Sequence, residues 1–264
     1  MADFQNIHAL AVQWIKEAGI KIIHSFESIL DINTKSNVND LVTNMDMEIE
    51  RYFKEKIAEH FPDHHILGEE GSGHDLETLD GIVWIIDPID GTMNFVHQQR
   101  NFAISIGIIE NGIGQIGLIY DVVHDELYHC IKDQGVFLNE KAIPKLKEVP
   151  LAESIIGLNP IWLTDNKKID KNLMSRLVKD VRGTRSYGSA ALEIAYVATG
   201  RINAYISMRL APWDFAGGAV IIEELGGKVT DLQGNPIHFL NKSSILVATP
   251  ALHKQIVEEY LPSY

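Results

Sequence analysis

Ile82-Val83-Trp84-Ile85-Ile86-Asp87-Pro88-Ile89-Asp90-Gly91-Thr92-Met93-Asn94-Phe95 decides how the rest of the chain is read. The apolar run Ile82 to Ile86 predicts a buried strand. It ends on a carboxylate, Asp87. Pro88 has no N–H to donate, so the ladder is expected to stop there. Asp90, Gly91 and Thr92 then make a tight turn, and Thr92 opens a short helix to Val96. Asp87 and Asp90 flank the Ile89 carbonyl, so one turn offers oxygens to a hard cation such as Mg²⁺. Gly91 lets a phosphate approach the backbone. The N–H groups of Gly91 and Thr92, at a helix start, favour an anion. The first expectation is a divalent metal beside a phosphate.

Composition fits that expectation. The chain has 264 residues, 45% of them hydrophobic, so it can bury a large core. Its formal net charge of −13 argues against nucleic acid and anionic membranes as partners. Cys130 is the single cysteine, which excludes a disulfide framework within one chain. Met1-Ala2-Asp3-Phe4 has neither a basic region nor an apolar core, and no apolar run reaches the roughly 20 residues of a membrane span. A soluble, cytoplasmic protein is expected.

Outward from the central strand, apolar spacing predicts helices over 4–30 and 45–61, the second capped by Thr43 or Asn44. His65-Ile66-Leu67-Gly68 reads as a short strand leading into Glu69-Glu70-Gly71-Ser72-Gly73, an acidic glycine-rich loop. Alternation from Phe102 to Ile108 and the Asn111-Gly112 turn predict a hairpin, continued by strands near 115–120, 124–131 and 135–138. Residues 1–145 thus read as an α+β half, with helices on a mostly antiparallel sheet. Residues 146–264 read as an α/β half: strands at 154–158, 203–207, 228–230 and 244–248, and helices at 166–179, 189–199, 213–225 and 250–260. The two are expected to pack as one compact unit with an active site between them.

Four acids stand out: Glu69, Asp87, Asp90 and Asp214. Each sits at the end of a predicted element, beside glycine, proline or apolar residues. Asp214 begins a helix in Pro212-Trp213-Asp214-Phe215-Ala216-Gly217-Gly218, where an unpaired acid would be costly. Thr92 and Asp46 could jointly orient a water. Other patterns are read as structural. Gly112 to Gly117 matches G-x-G-x-x-G but joins two strands. His60 and His64 have ligand spacing, but Pro62 breaks the helix between them. Cys130 is read as buried packing.

These motifs resemble those of the inositol monophosphatase family. Asp87 to Phe95 is similar to its central motif. Gly68-Glu69-Glu70 and Trp213 to Gly218 resemble its other metal motifs, Asp40 to Asp46 its threonine/aspartate segment, and Tyr187-Gly188-Ser189-Ala190-Ala191 with Ala198-Thr199-Gly200 its late helix. The matches span about residues 35–227 in family order. The resemblance implies a layered αβαβα sandwich, of the inositol monophosphatase/fructose-1,6-bisphosphatase type. It also implies Mg²⁺-dependent phosphomonoester hydrolysis by direct water attack, with two or three ions, lithium sensitivity and homodimers. Carried over by motif, Glu69, Asp87, the Ile89 carbonyl, Asp90 and Asp214 hold metal. Thr92, paired with Asp46, activates water. Gly91 and Thr92 bind phosphate, while Asp90, Gly188, Ser189 and Ala190 face the alcohol. Lys35 matches a mobile lysine near the site.

Ser207 departs from the pattern. In the animal enzymes a glutamate contacts inositol at that position, seven residues before the Trp-Asp aspartate. Arg209 nearby would favour a second anionic group. Inositol 1-phosphate leads on the resemblance, and the departure at Ser207 with Arg209 brings in NADP, fructose 1,6-bisphosphate and 3′-phosphoadenosine 5′-phosphate as alternatives. Two other classes stay open. One is a covalent aspartyl-phosphate phosphatase, disfavoured because its carboxylates lie two residues apart rather than three. The other is a non-enzymatic cation-binding module.

Overall fold

The structure, a computed structural model, describes residues 2–26, 32–34 and 41–261. Helix α1 (Phe4–Ser25) buries Ile7, Ala11, Trp14, Ile15, Ala18 and Ile22 along one stripe, and the Asp3 side chain caps it. It ends at Ser25, and the part of the expected helix over 27–30 lies outside the described residues. There the Phe26 N–H bonds Ile23 O and the Ser25 hydroxyl bonds Ile22 O, tightening the last turn. Phe26 then packs against Phe95 and Phe102. A two-stranded hairpin follows, β1 (Ile32–Thr34) with β2 (Leu41–Thr43). Helix α2 (Asn44–His60) starts from a capping box: Thr43 accepts from the Asp46 N–H, and Asp46 accepts from the Thr43 N–H.

Seven strands form the first sheet: β3 (His65–Gly68), β4 (Ile82–Asp90), β5 (Ala103–Glu110), β6 (Ile113–Asp121), β7 (Glu126–Ile131), β8 (Val136–Leu138) and β9 (Lys141–Ile143). They lie in chain order, antiparallel except for the β3–β4 pair. Asn111 and Gly112 both have positive φ in the β5–β6 turn, as a tight hairpin requires. Helix α3 (Thr92–Gln98) leaves the end of β4. The second sheet is mixed, in the order β11 (Gly183–Arg185), β10 (Ile155–Leu158), β12 (Ala204–Leu210), β14 (Ser243–Ala248), β13 (Lys228–Thr230). Its helices are α4 (Lys171–Asp180), α5 (Ala190–Ala198), α6 (Pro212–Glu224) and α7 (Pro250–Tyr260). Helix α4 starts later than residue 166, because Asn166 accepts from the Lys168 and Ile169 N–H groups in a turn and Asp170 supplies the cap.

Three cores separate these layers. Trp14, Ile49, Phe53, Trp84 and Ile106 join α1 and α2 to one face of the seven-stranded sheet. Val83, Ile85, Ala191, Phe215, Tyr205 and Val247 fill the space between the sheets around α5 and α6. Met174, Leu177, Ile206, Leu246 and Ile256 join the far face of the second sheet to α4 and α7. The order is αβαβα, as the resemblance implied. Helix α6 lies directly on the first sheet: a Cβ on Gly217 would meet Ile106 O at 2.7 Å and Leu118 O at 2.9 Å. That contact carries Asp214 toward the end of β4.

The β4 ladder does not stop at Pro88. Asp87 pairs with Ser105 and Asp90 with Ala103, so β4 spends one residue more than β5 between them, a β-bulge. Pro88 sits within the bulge, where its missing donor costs the ladder nothing. The bulge has a consequence for the acids. Residues three apart on a regular strand face opposite ways; here the cross-strand partners of Asp87 and Asp90 are two apart, so both carboxylates share one face.

Candidate active site

That face is the one covered by α5 and α6. Asp87 is 1% exposed, and its Oδ1 accepts from the Ile89 N–H at 3.0 Å across the bulge. Asp90 accepts through Oδ2 from the Ser189 hydroxyl and from the Ala191 N–H (2.7 Å) at the start of α5. Asp214, half-buried at the third position of α6, accepts from the Ala211 N–H at 2.7 Å. It lies inside the helix's first turn rather than at its N-cap, which is Ala211. Oxygens of Asp87, Asp90 and Asp214 lie within 4.8 Å of one another, the group among the described residues suited to a cation.

Such crowding is electrostatically unfavourable in the metal-free protein. Burial, and then the charges of Glu69, Asp90, Asp214 and Asp46, pushes the Asp87 carboxyl well above the usual range. Burial, with Asp90 beside it, does the same to Asp214. Asp90 is pushed up to about 6 by burial, partly offset by its hydrogen bonds from Ser189 and Ala191. A divalent cation would relieve all three at once, which is the sense in which this donor set fits a hard metal.

Glu69 follows β3, half-buried, with its N–H on Ile86 O at 3.3 Å, so β4 aligns it. Thr92 Oγ1 lies within hydrogen-bond reach of two acceptors for its single proton, Asp46 Oδ1 (3.3 Å) and Ile89 O (3.1 Å). Asp46 thus serves two elements, because its Oδ2 also accepts from the Thr43 N–H (2.8 Å) and hydroxyl. Gly91 has φ +97°, and a Cβ there would sit 3.2 Å from Gly188 O and Ser189 Cβ, so the turn presses against the start of α5. Asn94 braces that approach, donating through Nδ2 to Asn101 O (2.8 Å) and Tyr187 O (2.7 Å).

Beside the carboxylates opens a cavity of about 470 Å³, lined by Asp90, Asp214, Gly188, Ser189 and Ala190 on one side. Ser207, Arg209, Ile161, Trp162 and Lys168 lie on the other. Arg209 is exposed and lines this cavity; Lys35 lies outside the described residues. The remaining sequence candidates therefore gather at the end of β4 and around one cavity. Sequence reasoning missed Lys168 and Trp162, from a segment with no motif, and also Glu193. Glu193 lines the cavity nearly buried, its Oε1 accepting from the Tyr187 N–H (2.8 Å) and Gly188 N–H (3.4 Å). Its Oε2 has no hydrogen-bond partner. An acid inside the apolar run Ala190-Ala191-Leu192-Glu193-Ile194-Ala195 was the available signal. The two histidines with ligand spacing do other work: His64 stacks on Phe61 and accepts from the Trp84 indole N–H at 3.0 Å.

Known proteins can be set beside this geometry. The family model for the inositol monophosphatase family matches residues 3–262. The inositol-1-monophosphatase of Bacillus subtilis is 58% identical over 261 residues, covering 99% of this chain and 98% of that one. Staphylococcus aureus inositol monophosphatase II, solved with 2′AMP bound, is 46% identical with a TM-score of 0.89, covering 97% of this chain and 95% of that one. An inositol monophosphatase/NADP phosphatase complexed with Mg²⁺ and phosphate is 28% identical with a TM-score of 0.91, covering 100% of this chain and 97% of that one. With its motifs in place along the whole fold, the chain belongs to the inositol monophosphatase family.

Proposed function

We propose that the chain hydrolyses an inositol monophosphate by direct attack of water, with Mg²⁺ held at the end of β4. As a member of its family it is a phosphomonoesterase that uses a divalent metal and takes a small phosphorylated substrate. The observation that carries the finer reading is the convergence of Asp87, Asp90 and Asp214, within 4.8 Å, beside the Thr92–Asp46 hydrogen bond.

Glu69, Asp87, Asp90, Asp214 and the Ile89 carbonyl would hold the metal, two or three ions in all. Bound there, Mg²⁺ supplies positive charge for the attacking and leaving oxygens. Thr92 donates its own proton toward Asp46, which turns its oxygen lone pairs toward a water and lets the pair draw a proton from it. The Gly91 and Thr92 N–H groups bind the phosphate. Ser189, by bonding Asp90, fixes one Asp90 oxygen and leaves the other for metal and substrate alcohol. Residues 1–145 and 146–264 act as one unit on this reading, since the Ser189–Asp90 and Ala191–Asp90 hydrogen bonds cross between them. Lithium sensitivity, homodimerisation and a cytoplasmic location belong to the same proposal. A staphylococcal relative has been solved as a lithium-soaked inhibitory complex. No helix among the described residues is long and apolar enough to cross a membrane.

A second reading is favoured by Arg209 and Lys168 at the cavity and by Ser207 in place of a glutamate. A substrate with a second anionic group, such as NADP, would gain charge-assisted contacts there. The deciding experiment compares kcat/KM for inositol 1-phosphate, NADP, fructose 1,6-bisphosphate and 3′-phosphoadenosine 5′-phosphate, with Mg²⁺ and with chelator. Inositol 1-phosphate is expected to lead. NADP leading, with a selective loss in Arg209→Ala, would install the second reading. No Mg²⁺-dependent phosphate release from any of the four would leave only a cation-binding module.

A further inference from the structure

The loop after Glu69 is held by two side chains, Glu50 from α2 and His74 from the loop's own far end. It closes back on β3, with the Gly68 N–H on Ser72 O at 2.8 Å. From below, the buried Glu50 of α2 accepts from the Glu70 N–H (2.6 Å) and the Ser72 N–H (3.1 Å). A Cβ on Gly68 would lie 2.3 Å from Glu50 Oε2, so this carboxylate reaches the loop only past a glycine. From the side, His74 bonds Gly68 O through Nε2 at 2.8 Å. Its ring also stacks on Trp213, centroids 5.6 Å apart and planes 6° apart. His74 therefore ties the residue before Glu69 to the residue before Asp214.

We propose that Glu50 and His74 are positioning residues that fix Glu69 relative to Asp214 and thereby set the metal affinity on the Glu69 side of the site. The proposal rests on reading Glu69 as a metal ligand. Neither residue touches the reacting atoms. Glu69 is half-buried at the root of a loop with three glycines or serines, Gly71, Ser72 and Gly73. Left unpinned, that loop would have to be ordered at the moment of metal binding, and the ordering entropy would be subtracted from the affinity. The pins remove that loss beforehand. They also make the Glu69 and Asp214 segments move together, because a shift of Trp213 is transmitted through the His74 ring to Gly68.

The test titrates Mg²⁺ calorimetrically into the full-length protein and its His74→Ala, His74→Phe, Glu50→Gln and Glu69→Gln variants, and follows amide hydrogen exchange over residues 69–76. His74→Ala and Glu50→Gln are expected to raise the half-saturating Mg²⁺ concentration about 10-fold. Exchange should quicken in this loop and not elsewhere. At saturating Mg²⁺, kcat should stay within about twofold of the parent. His74→Phe keeps the stack without the hydrogen bond and should lose less than His74→Ala. Unchanged Mg²⁺ affinity in His74→Ala and Glu50→Gln, with a weakened Glu69→Gln, would overturn the positioning role alone. Unchanged affinity in Glu69→Gln would overturn the ligand reading of Glu69 and the proposal with it. If Glu50→Gln does not fold, His74→Ala decides by itself.

Discussion

The two ends of the cavity are made by different means. At one end Asp90 and Asp214, with Asp87 alongside, are fixed by backbone: a bulge between two core strands, and the first turns of α5 and α6. At the other end Ile161, Trp162, Lys168 and Arg209 come from a short turn, a loop and a strand, and Lys168 and Arg209 stand exposed. Moving an acid at the first end would disturb the contact between both sheets. Replacing Ile161, Lys168 or Arg209 at the second end would disturb little beyond itself, whereas Trp162 also packs on the core beneath α4. A fold built this way can keep its reaction while its leaving group changes, which is how one scaffold hosts several substrates.

The comparison predicts unequal damage. Asp87→Asn should lower hydrolysis of every substrate by roughly three orders of magnitude or more, because it removes a ligand from the reacting end. The fold should survive, since the change relieves crowding among buried acids. The metal-free variant should melt no lower than the parent, while the rise in Tm on adding Mg²⁺ shrinks. Calorimetry with and without chelator, beside kcat/KM, measures both. Near-normal turnover, or a loss confined to one substrate, would break the division between the two ends.

Thr92→Ala comes next in size. If the hydroxyl aims water, kcat should fall about 100-fold with KM little changed. The capping box of α2 should persist, because Asp46 keeps its Thr43 contacts. An effect limited to KM would assign Thr92 to phosphate binding alone.

The same asymmetry explains what could be read in advance. The reacting end is carried by contiguous motifs, since a strand, its bulge and the next helix are neighbours in the chain; Asp87, Asp90, Gly91 and Thr92 were therefore visible together. Most elements were visible too, because period-2 and period-3.6 patterns mark faces well, while the order of the layers came from the resemblance. Pro88 misled the reading: its missing N–H usually ends a ladder, and only register shows that it sits in a bulge. The ends of α1 and α4 depended on side-chain bonds of Ser25 and Asn166, which periodicity does not report. Lys168, Trp162 and Glu193 meet only through tertiary packing of β10, α5 and β12, so no local signal joined them to Ser207 and Arg209.

Glu193 gives the smallest effect and the sharpest probe of the second end, because it lies under that wall without being a metal ligand. Burial pushes its carboxyl up to about 7, partly offset by the Tyr187 and Gly188 N–H groups. The unfolded chain titrates near 4.5. Between these values the folded protein holds the proton that the unfolded chain has lost. Stability from this group is thus complete below about 4.5 and declines as pH rises through about 7. Glu193→Gln cannot ionise and still offers Oε1 to the Tyr187 and Gly188 N–H groups. In the metal-free protein its Tm should fall less steeply over that range, leaving the variant above the parent by roughly 5 °C at pH 8. Below pH 5 the order should close or reverse, since the Gln amide N–H₂ gains no acceptor where Oε2 had no partner. If the two curves run parallel, Glu193 carries no buried charge. The floor of the leaving-group end would then be as neutral as the apolar helix around it.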